Sequence, residues 1–153
     1  MDIGDTAPAF DLPTDTGTNA SLAKLAGKKV VLYFYPKDDT PGCTTEAIAF
    51  TGLKADFAAA DTVVIGVSKD SVAAHAKFRK KHDLDVELAA DPDGSVVEAY
   101  GAWVEKSMYG KKYMGIDRAT FLIGRDGKIA AVWRKVKVPG HAAAVLKAAQ
   151  DLG

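Results

Sequence analysis

One short apolar run that stops at a proline constrains the fold of this chain more than any other feature. Residues 29–35 read Lys-Val-Val-Leu-Tyr-Phe-Tyr, a β-prone run without the polar alternation of a half-exposed strand. The run ends at Pro36. Its length and composition predict a strand buried on both faces, which is typical of the centre of a sheet covered by helices. A chain of 153 residues is long enough to bury such a core without disulfides or metals.

The other elements expected from the sequence alternate between strands and helices. In order, we expect a hairpin over residues 10–20, a brief helix over 22–25 capped by Ser21, a helix over 43–60, a strand over 62–68, a helix from 70 or 71 to 82, a strand over 86–90, a short helix over 95–100, paired strands over 119–123 and 128–135, and a helix over 142–152. This order predicts an α/β fold with a mixed central sheet flanked by helices, in one domain of residues 1–153.

Charge and hydropathy exclude several classes of protein. Twenty Lys and Arg residues balance twenty Asp and Glu residues, so the net charge is zero, whereas a dedicated nucleic-acid binder is normally basic. No apolar run is long enough to span a bilayer. The first residues, Met-Asp-Ile-Gly-Asp, lack the apolar core of a signal peptide. We therefore expect a cytoplasmic protein with neither nucleic acid nor membrane as a partner.

The chain has a single cysteine, Cys43. An intramolecular disulfide is therefore impossible, and so is a zinc site built on cysteine pairs. The three histidines, His75, His82 and His141, are not at ligand spacing, so we do not expect a metal site. A lone cysteine is more often a small buried apolar residue than a reactive one.

The position of Cys43 nevertheless favours chemistry. The pattern Pro36-x-x-x-Thr40-x-x-Cys43 lies where the buried strand ends, a short loop turns and a helix begins. Reactive sites in open α/β sheets lie at the carboxyl ends of strands, and a helix N-terminus stabilises a thiolate there. The Thr40 hydroxyl, three residues earlier, can donate or accept a hydrogen bond.

These residues carry a resemblance to a known family. The segment of residues 34–47, Phe-Tyr-Pro-Lys-Asp-Asp-Thr-Pro-Gly-Cys-Thr-Thr-Glu-Ala, resembles the active-site segment of the peroxiredoxins. More narrowly it resembles the bacterioferritin-comigratory-protein (PrxQ) group, as do residues 4–12, 103–116 and 117–123. The resemblance implies a thioredoxin-like fold with an N-terminal β-hairpin extension. It also implies reduction of hydrogen peroxide or organic hydroperoxides by a peroxidatic cysteine, without metal, haem, flavin or another cofactor.

The resemblance assigns a role to each site residue. The peroxidatic cysteine matches Cys43, and the active-site proline, threonine and arginine of the family match Pro36, Thr40 and Arg118. The fixed guanidinium of Arg118 can stabilise the thiolate and hold the peroxide while charge moves to the leaving oxygen. Glu46 lies one helical turn after Cys43, and we expect it to anchor Arg118, although an exposed carboxylate is an equal alternative.

The chain departs from the family at position 48. Many relatives have a resolving cysteine five residues after the peroxidatic one, but this chain has Ile48. We therefore expect a one-cysteine enzyme whose sulfenic acid is reduced by thioredoxin, glutaredoxin with glutathione, or another low-molecular-weight thiol. On a helix, Cα atoms five residues apart lie about 8.6 Å from each other, too far for a disulfide. A buried Ile48 would oppose unwinding by about 1.5–3 kcal/mol, which predicts a rigid first turn.

Two other classes of function remain open. A thiol–disulfide oxidoreductase fits the fold type, but the chain has no Cys-x-x-Cys motif. A non-catalytic peroxide-sensing thiol protein would use Cys43 without turnover. The segment Glu105–Met114 forms either a recognition loop or, the stronger expectation, a surface hairpin. We expect a monomer or weak homodimer.

Overall fold

The computed structural model describes residues 1–153, and a five-stranded sheet lies at its centre. The strands are β1 (Asp11–Pro13), β2 (Asn19–Ser21), β3 (Lys29–Phe34), β4 (Thr62–Ser68), β5 (Glu87–Ala90), β6 (Trp103–Met108), β7 (Lys111–Ile116), β8 (Ala119–Ile123) and β9 (Ile129–Trp133). The helices are α1 (Pro41–Gly52), α2 (Lys54–Ala59), α3 (Val72–His82), α4 (Ser95–Ala99) and α5 (His141–Asp151), with a 3-10 turn over Ala23–Leu25.

The apolar run becomes β3, the middle strand of the sheet. The order is β5-β4-β3-β8-β9, and β3 pairs parallel with β4 and antiparallel with β8. All six of its residues are buried, because helices cover both faces. Alternate side chains enter two different cores: Val31 and Tyr33 pack with α1 and α5, whereas Leu32 and Phe34 pack towards α4 and the N-terminal segment.

The main expectations from the sequence are confirmed. The sheet is mixed and flanked by helices, and β1 and β2 form the N-terminal hairpin. Strand β4 has the expected bounds, and Ser71 caps α3 by accepting a hydrogen bond from Ala74 N at 3.1 Å. Residues 103–116 form the expected surface hairpin, β6–β7, which stands apart from the central sheet. None of the helices has the length and apolar character needed to cross a bilayer.

Two local expectations were wrong. The helix expected over residues 43–60 is two helices, α1 and α2, interrupted at Leu53, and α1 already begins at Pro41. Proline is favoured in a first turn, where its missing N–H has no intrahelical partner to lose. Ser21 does not cap the following turn, because it lies in β2.

The register of the sheet determines which segments meet at the edge where β3 ends. Phe34, the last residue of β3, pairs with Val67 near the end of β4 and with Ala119 at the start of β8. The chain leaving β3 therefore reaches the same edge as the residues that follow β4 and precede β8. Arg118, directly before β8, is brought beside the loop that leads into α1.

A glycine in β4 makes room for the phenol ring of Tyr33. A Cβ atom on Gly66 would lie 2.6 Å from Tyr33 Cζ and 2.7 Å from its hydroxyl oxygen. Gly66→Ala must therefore displace Tyr33, and we expect a loss of about 1–3 kcal/mol in the free energy of unfolding. The measurement is urea denaturation. Gly52→Ala, where a Cβ meets no atom within 4 Å, is the control and should leave stability equal or higher. Equal stability of the two variants would contradict this packing.

Candidate active site

The sulfur of Cys43 is buried in the first turn of α1. Thr40 precedes the helix with extended backbone, and its carbonyl accepts the first helical hydrogen bond from Thr44 N at 2.8 Å. Cys43 is therefore the third residue of the helix, where backbone N–H groups lack intrahelical partners and favour negative charge. Its exposed fraction is only 1%. The sulfur is therefore almost completely enclosed by the protein.

Arg118 links Cys43 to Glu46. Its Nη1 donates to Glu46 Oε1 at 2.7 Å, and its Nη2 donates to Cys43 Sγ at 3.3 Å. Gly42 allows this approach, since a Cβ there would lie 3.1 Å from Arg118 Nη2. The planar guanidinium thus holds a carboxylate and a sulfur in one geometry. The structure brings three of the expected site residues together, although Arg118 is separated by more than seventy positions from the other two.

Burial makes the carboxyl of Glu46 titrate near neutrality. Only 1% of its side chain is exposed, and this desolvation raises its pKa to about 7 although the charge and hydrogen bond of Arg118 act to lower it. Its second oxygen, Oε2, has no hydrogen-bond partner. Burial also opposes the charge of Arg118, but Glu46 and Cys43 outweigh it and hold the Arg118 pKa above its usual value. The charge state of Glu46 therefore determines how much of the positive charge of Arg118 acts on a negatively charged Cys43 sulfur.

Tyr33 forms part of the wall behind the sulfur. Its ring stacks on Phe50 with centroids 4.6 Å apart, and its hydroxyl has no hydrogen-bond partner. Burial, followed by the charges of Glu46 and Cys43, raises the pKa of Tyr33 well above its usual value. The phenol stays neutral, so this wall adds no competing charge. Sequence reasoning missed Tyr33, although it lies on the same face of β3 as Val31 in the core shared with Cys43.

His141, at the start of α5, is a second neutral wall residue that sequence reasoning did not place. Its Nε2 shares a hydrogen bond of 2.8 Å with the hydroxyl of Thr120 in β8. Burial, followed by the charge of Arg118, lowers the pKa of His141 to about 4. Its ring stands edge-on to Trp133 at 5.9 Å between centroids. An uncharged imidazole here leaves Arg118 as the cation that reaches the sulfur.

The loop between β3 and α1 carries Pro36 and Thr40 without placing either on the sulfur. The Thr40 hydroxyl donates to the carbonyl of Lys37 at 2.8 Å and makes no hydrogen bond to Cys43. Its oxygen keeps lone pairs that can accept from a ligand. Pro36 is exposed. Both residues therefore lie on the loop before α1 with at least part of each side chain open to solvent.

A buried network holds this loop in place. Asp38 accepts a hydrogen bond from the Tyr35 hydroxyl at 2.6 Å, and its other oxygen lies 2.6 Å from His75 Nδ1. The opposite ring nitrogen of His75 lies 3.0 Å from the carbonyl of Ala89 and must donate to it. Asp39, in the left-handed region at φ 60°, pairs with side chains from the end of α3. The sequence contained these acidic residues, but their partners come from a distant helix.

The exposure of Ile48 differs from the expectation that this side chain is buried. Its side chain is 49% exposed on α1, so its burial does not hold the helix in place. The buried residues of α1 are Cys43, Glu46, Ala47 and Phe50. Unwinding of the first turn would therefore expose Cys43 and break its contact with Arg118. A rigid turn remains the expectation, but for a different physical reason.

Residues 1–153 contain no group of three or more His, Cys, Asp or Glu side chains arranged to hold a metal ion. The site described above is instead one thiol, one guanidinium and one buried carboxyl. This set can stabilise a thiolate and a developing oxyanion at the same point.

Comparisons with known proteins agree with this arrangement. The AhpC/TSA family model matches residues 3–132. A Coxiella burnetii protein named putative peroxiredoxin bcp is 54% identical over 146 residues, covering 95% of this chain and 97% of the relative. Bacillus subtilis peroxiredoxin Bcp is 47% identical over 152 residues, covering 99% of this chain and 97% of the relative.

Two similar solved structures are also of proteins named PrxQ or bacterioferritin comigratory protein. Xanthomonas campestris bacterioferritin comigratory protein, studied for its alkyl peroxide reduction activity, has a TM-score of 0.88 and 44% identity, covering 93% of this chain and 90% of that chain. A Xylella fastidiosa PrxQ mutant has a TM-score of 0.91 and 41% identity, covering 96% and 94%. These likenesses confirm the thioredoxin-like fold expected from the sequence.

The raised pKa of Glu46 makes stability depend on pH. Between about pH 4.5 and 7 the folded chain holds a proton that the unfolded chain releases, so the free energy of unfolding falls as pH rises. Glu46→Gln removes this contribution, which is at most about 3 kcal/mol. We expect the variant to lose less stability than the unmodified protein between pH 5 and about pH 8, measured by urea denaturation. The control is Glu98→Gln, an exposed carboxyl of α4. Identical pH profiles for the unmodified protein and Glu46→Gln would contradict the assignment.

Proposed function

The chain belongs to the AhpC/TSA family, in its Bcp/PrxQ group of peroxiredoxins, and on that premise we propose that Cys43 is the peroxidatic residue of a thiol-dependent peroxidase. The observation that carries the proposal is the contact of Arg118 Nη2 with Cys43 Sγ at 3.3 Å, backed by Glu46. A permanent cation beside a sulfur at a helix N-terminus stabilises the negative charge that moves during attack on a peroxide. A structural cysteine needs no such partner.

The first step oxidises the sulfur. The Cys43 thiolate attacks one oxygen of the hydroperoxide, the O–O bond breaks, and the electron pair leaves with the distal oxygen as hydroxide or alkoxide. That oxygen takes up a proton to give water or an alcohol, and the sulfur becomes a sulfenic acid. Negative charge moves from the sulfur to the leaving oxygen during this step. Arg118, already fixed by Glu46, stabilises both positions without reorganisation.

The loop residues act on the substrate at the entrance. The Thr40 hydroxyl is oriented by the Lys37 carbonyl, so its oxygen is free to accept a hydrogen bond from the peroxide O–H. Pro36 has no N–H group and limits the polar groups beside the reacting oxygens. Glu46 does not touch substrate and acts as a positioning residue through Arg118.

An external thiol completes the cycle. The sulfenic acid condenses with a first thiol to give a mixed disulfide and water, and a second thiol then releases reduced Cys43 and a disulfide product. The chain itself has no second cysteine to do this. The reductant is therefore thioredoxin, glutaredoxin with glutathione, or another low-molecular-weight thiol, and we propose the reducing cytoplasm as the compartment. We further propose that residues 1–153 act as one domain, as a monomer or weak homodimer.

Loss of Arg118 should slow the first step. In Arg118→Ala the positive charge at the sulfur is gone, and we expect the rate with hydrogen peroxide at pH 7 to fall by about a hundredfold or more. The measurement is stopped-flow tryptophan fluorescence, with mass spectrometry to count the oxygen atoms added. Cys43→Ser sets the baseline and should add none. Multiple turnovers with a thiol donor separate an enzyme from a peroxide sensor. Turnover of Cys43→Ser near that of the unmodified protein would contradict the proposal.

Ile48→Cys tests the rigidity of α1. Because Ile48 is half exposed, the substitution should change stability little, yet the two sulfurs stay too far apart on an intact helix. Unwinding also breaks the contacts of Arg118 with Glu46 and Cys43. We expect peroxide to leave the variant mainly in the sulfenic form, detected by mass spectrometry after trapping. Rapid formation of an intramolecular disulfide would show that the first turn opens readily.

A further inference from the structure

A cleft of about 320 Å³ lies next to the entrance of the site. Its walls come from the second residue after β3, the first residue after β4 and the β6–β7 hairpin. The residues that matter here are Pro36, Lys69, Trp103, Lys106 and Tyr113. Two partly exposed lysines share this lining with two aromatic rings. We call it the Lys69–Lys106 cleft.

Lys69 is held in the cleft by contacts with Trp103 and Gly94. Its Nζ lies 4.3 Å from the ring centroid of Trp103, a cation–π contact. Its stem lies over Gly94, where a Cβ would come within 3.4 Å of Lys69 Cε. No carboxylate lies within 4.0 Å of its ammonium group, whereas Lys54 and Lys81 each have one. The charge of Lys69 is therefore positioned but not neutralised.

Lys106 is positioned in the same way. Its stem crosses Gly115, where a Cβ would lie 3.3 Å from Lys106 Cδ. Tyr113 is its partner across the hairpin. Lys106 also has no carboxylate within 4.0 Å, although Lys112 on the same hairpin pairs with Glu105 at 3.6 Å. Lys112 is thus paired with a carboxylate of the hairpin, whereas the ammonium group of Lys106 can bind an anion from outside the protein.

The register of the sheet puts this cleft beside the reactive centre. Pro36 and Lys69 each lie two residues beyond the paired residues Phe34 and Val67, so they emerge side by side from neighbouring strands, about 5 Å apart. Arg118 emerges on the opposite side of β3. A small molecule whose reacting atom meets Cys43 between Pro36 and Arg118 can therefore extend its other end over Pro36 into the cleft.

We propose that the Lys69–Lys106 cleft binds the carboxylate of a small co-substrate of Cys43. The two ammonium groups supply the charge, and the aromatic rings accept an apolar spacer between the carboxylate and the reacting atom. The proposal rests on the proposed function, because the reacting atom belongs either to the hydroperoxide or to the thiol that reduces the sulfenic acid. Both sources present the same carboxylate chemistry, and the two half-reactions distinguish them.

The experiment measures each half-reaction with matched charged and neutral probes. For reduction, sulfenic Cys43 is mixed with ω-mercaptohexanoate or its primary amide. For oxidation, reduced protein is mixed with ω-hydroperoxyhexanoate or its amide, and with hydrogen peroxide as a probe too small to reach the cleft. The variants are Lys69→Met, Lys106→Met and the double variant, because methionine keeps most of the apolar stem. Lys112→Met, on the exposed side of the hairpin, is the control.

We expect the carboxylate probe to react about threefold more slowly with each single variant and about tenfold more slowly with the double variant. The amide probe and hydrogen peroxide should change by less than about twofold. An effect confined to the thiol step assigns the carboxylate to the reductant, and one confined to the hydroperoxide step assigns it to the oxidant. In the unmodified protein, salt at about 1 M should abolish the preference for the carboxylate, which tests the cleft without any variant.

Equal carboxylate-to-amide ratios in the double variant and Lys112→Met, in both half-reactions, would overturn the proposal. A preference that survives high salt would also count against it, because partly exposed charges are screened. Failure of hydrogen peroxide to oxidise Cys43 in the unmodified protein is a separate result. It would overturn the proposed function itself, and the cleft assignment with it.

Discussion

The contact of Arg118 with both Glu46 and Cys43 is the interaction on which the site depends. It joins the start of β8 to the first turn of α1, two segments that the sheet brings to the same edge. Burying a carboxylate and a guanidinium is unfavourable unless they pair. Loss of one partner leaves the other charge buried and unpaired. Two partly or fully buried charged groups, those of Arg118 and Glu46, are therefore arranged around the sulfur of Cys43. In the proposed reaction this arrangement is favourable, because the guanidinium already contacts the sulfur from which negative charge moves.

The surroundings of this contact are kept neutral. Tyr33 and His141 are both titratable, yet burial keeps each of them uncharged near neutral pH. An apolar wall strengthens the field of Arg118 at the sulfur, since few other charges or waters screen it. Glu46 is the exception, with a pKa of about 7. The state of that one carboxyl links the stability of the fold to the charge balance of the site.

The absence of a second cysteine changes what the surface around the site must do. An enzyme that resolves its own sulfenic acid can unwind a helix, whereas the cycle proposed for this chain requires another molecule to reach a sulfur that is 1% exposed. The loop from Pro36 to Thr40 leads into the helix that carries Cys43, and α3 holds this loop through the contact of His75 with Asp38. A rigid loop beside a charged cleft suits recognition of a small reactant better than large rearrangement.

The sequence by itself determined the local structure: the central strand, the bounds of β4, the Ser71 cap and the position of Cys43 at a strand–loop–helix junction. Each of these follows from a pattern within about ten residues, such as an apolar run or a capping side chain. The resemblance to the peroxiredoxins added Arg118, and helical spacing suggested Glu46. Only the tertiary structure decided that these two meet, that Tyr33 and His141 are neutral walls, and that Ile48 faces outward. Such contacts join residues far apart in the chain, so their geometry is set by how helices pack on the sheet and not by any local pattern.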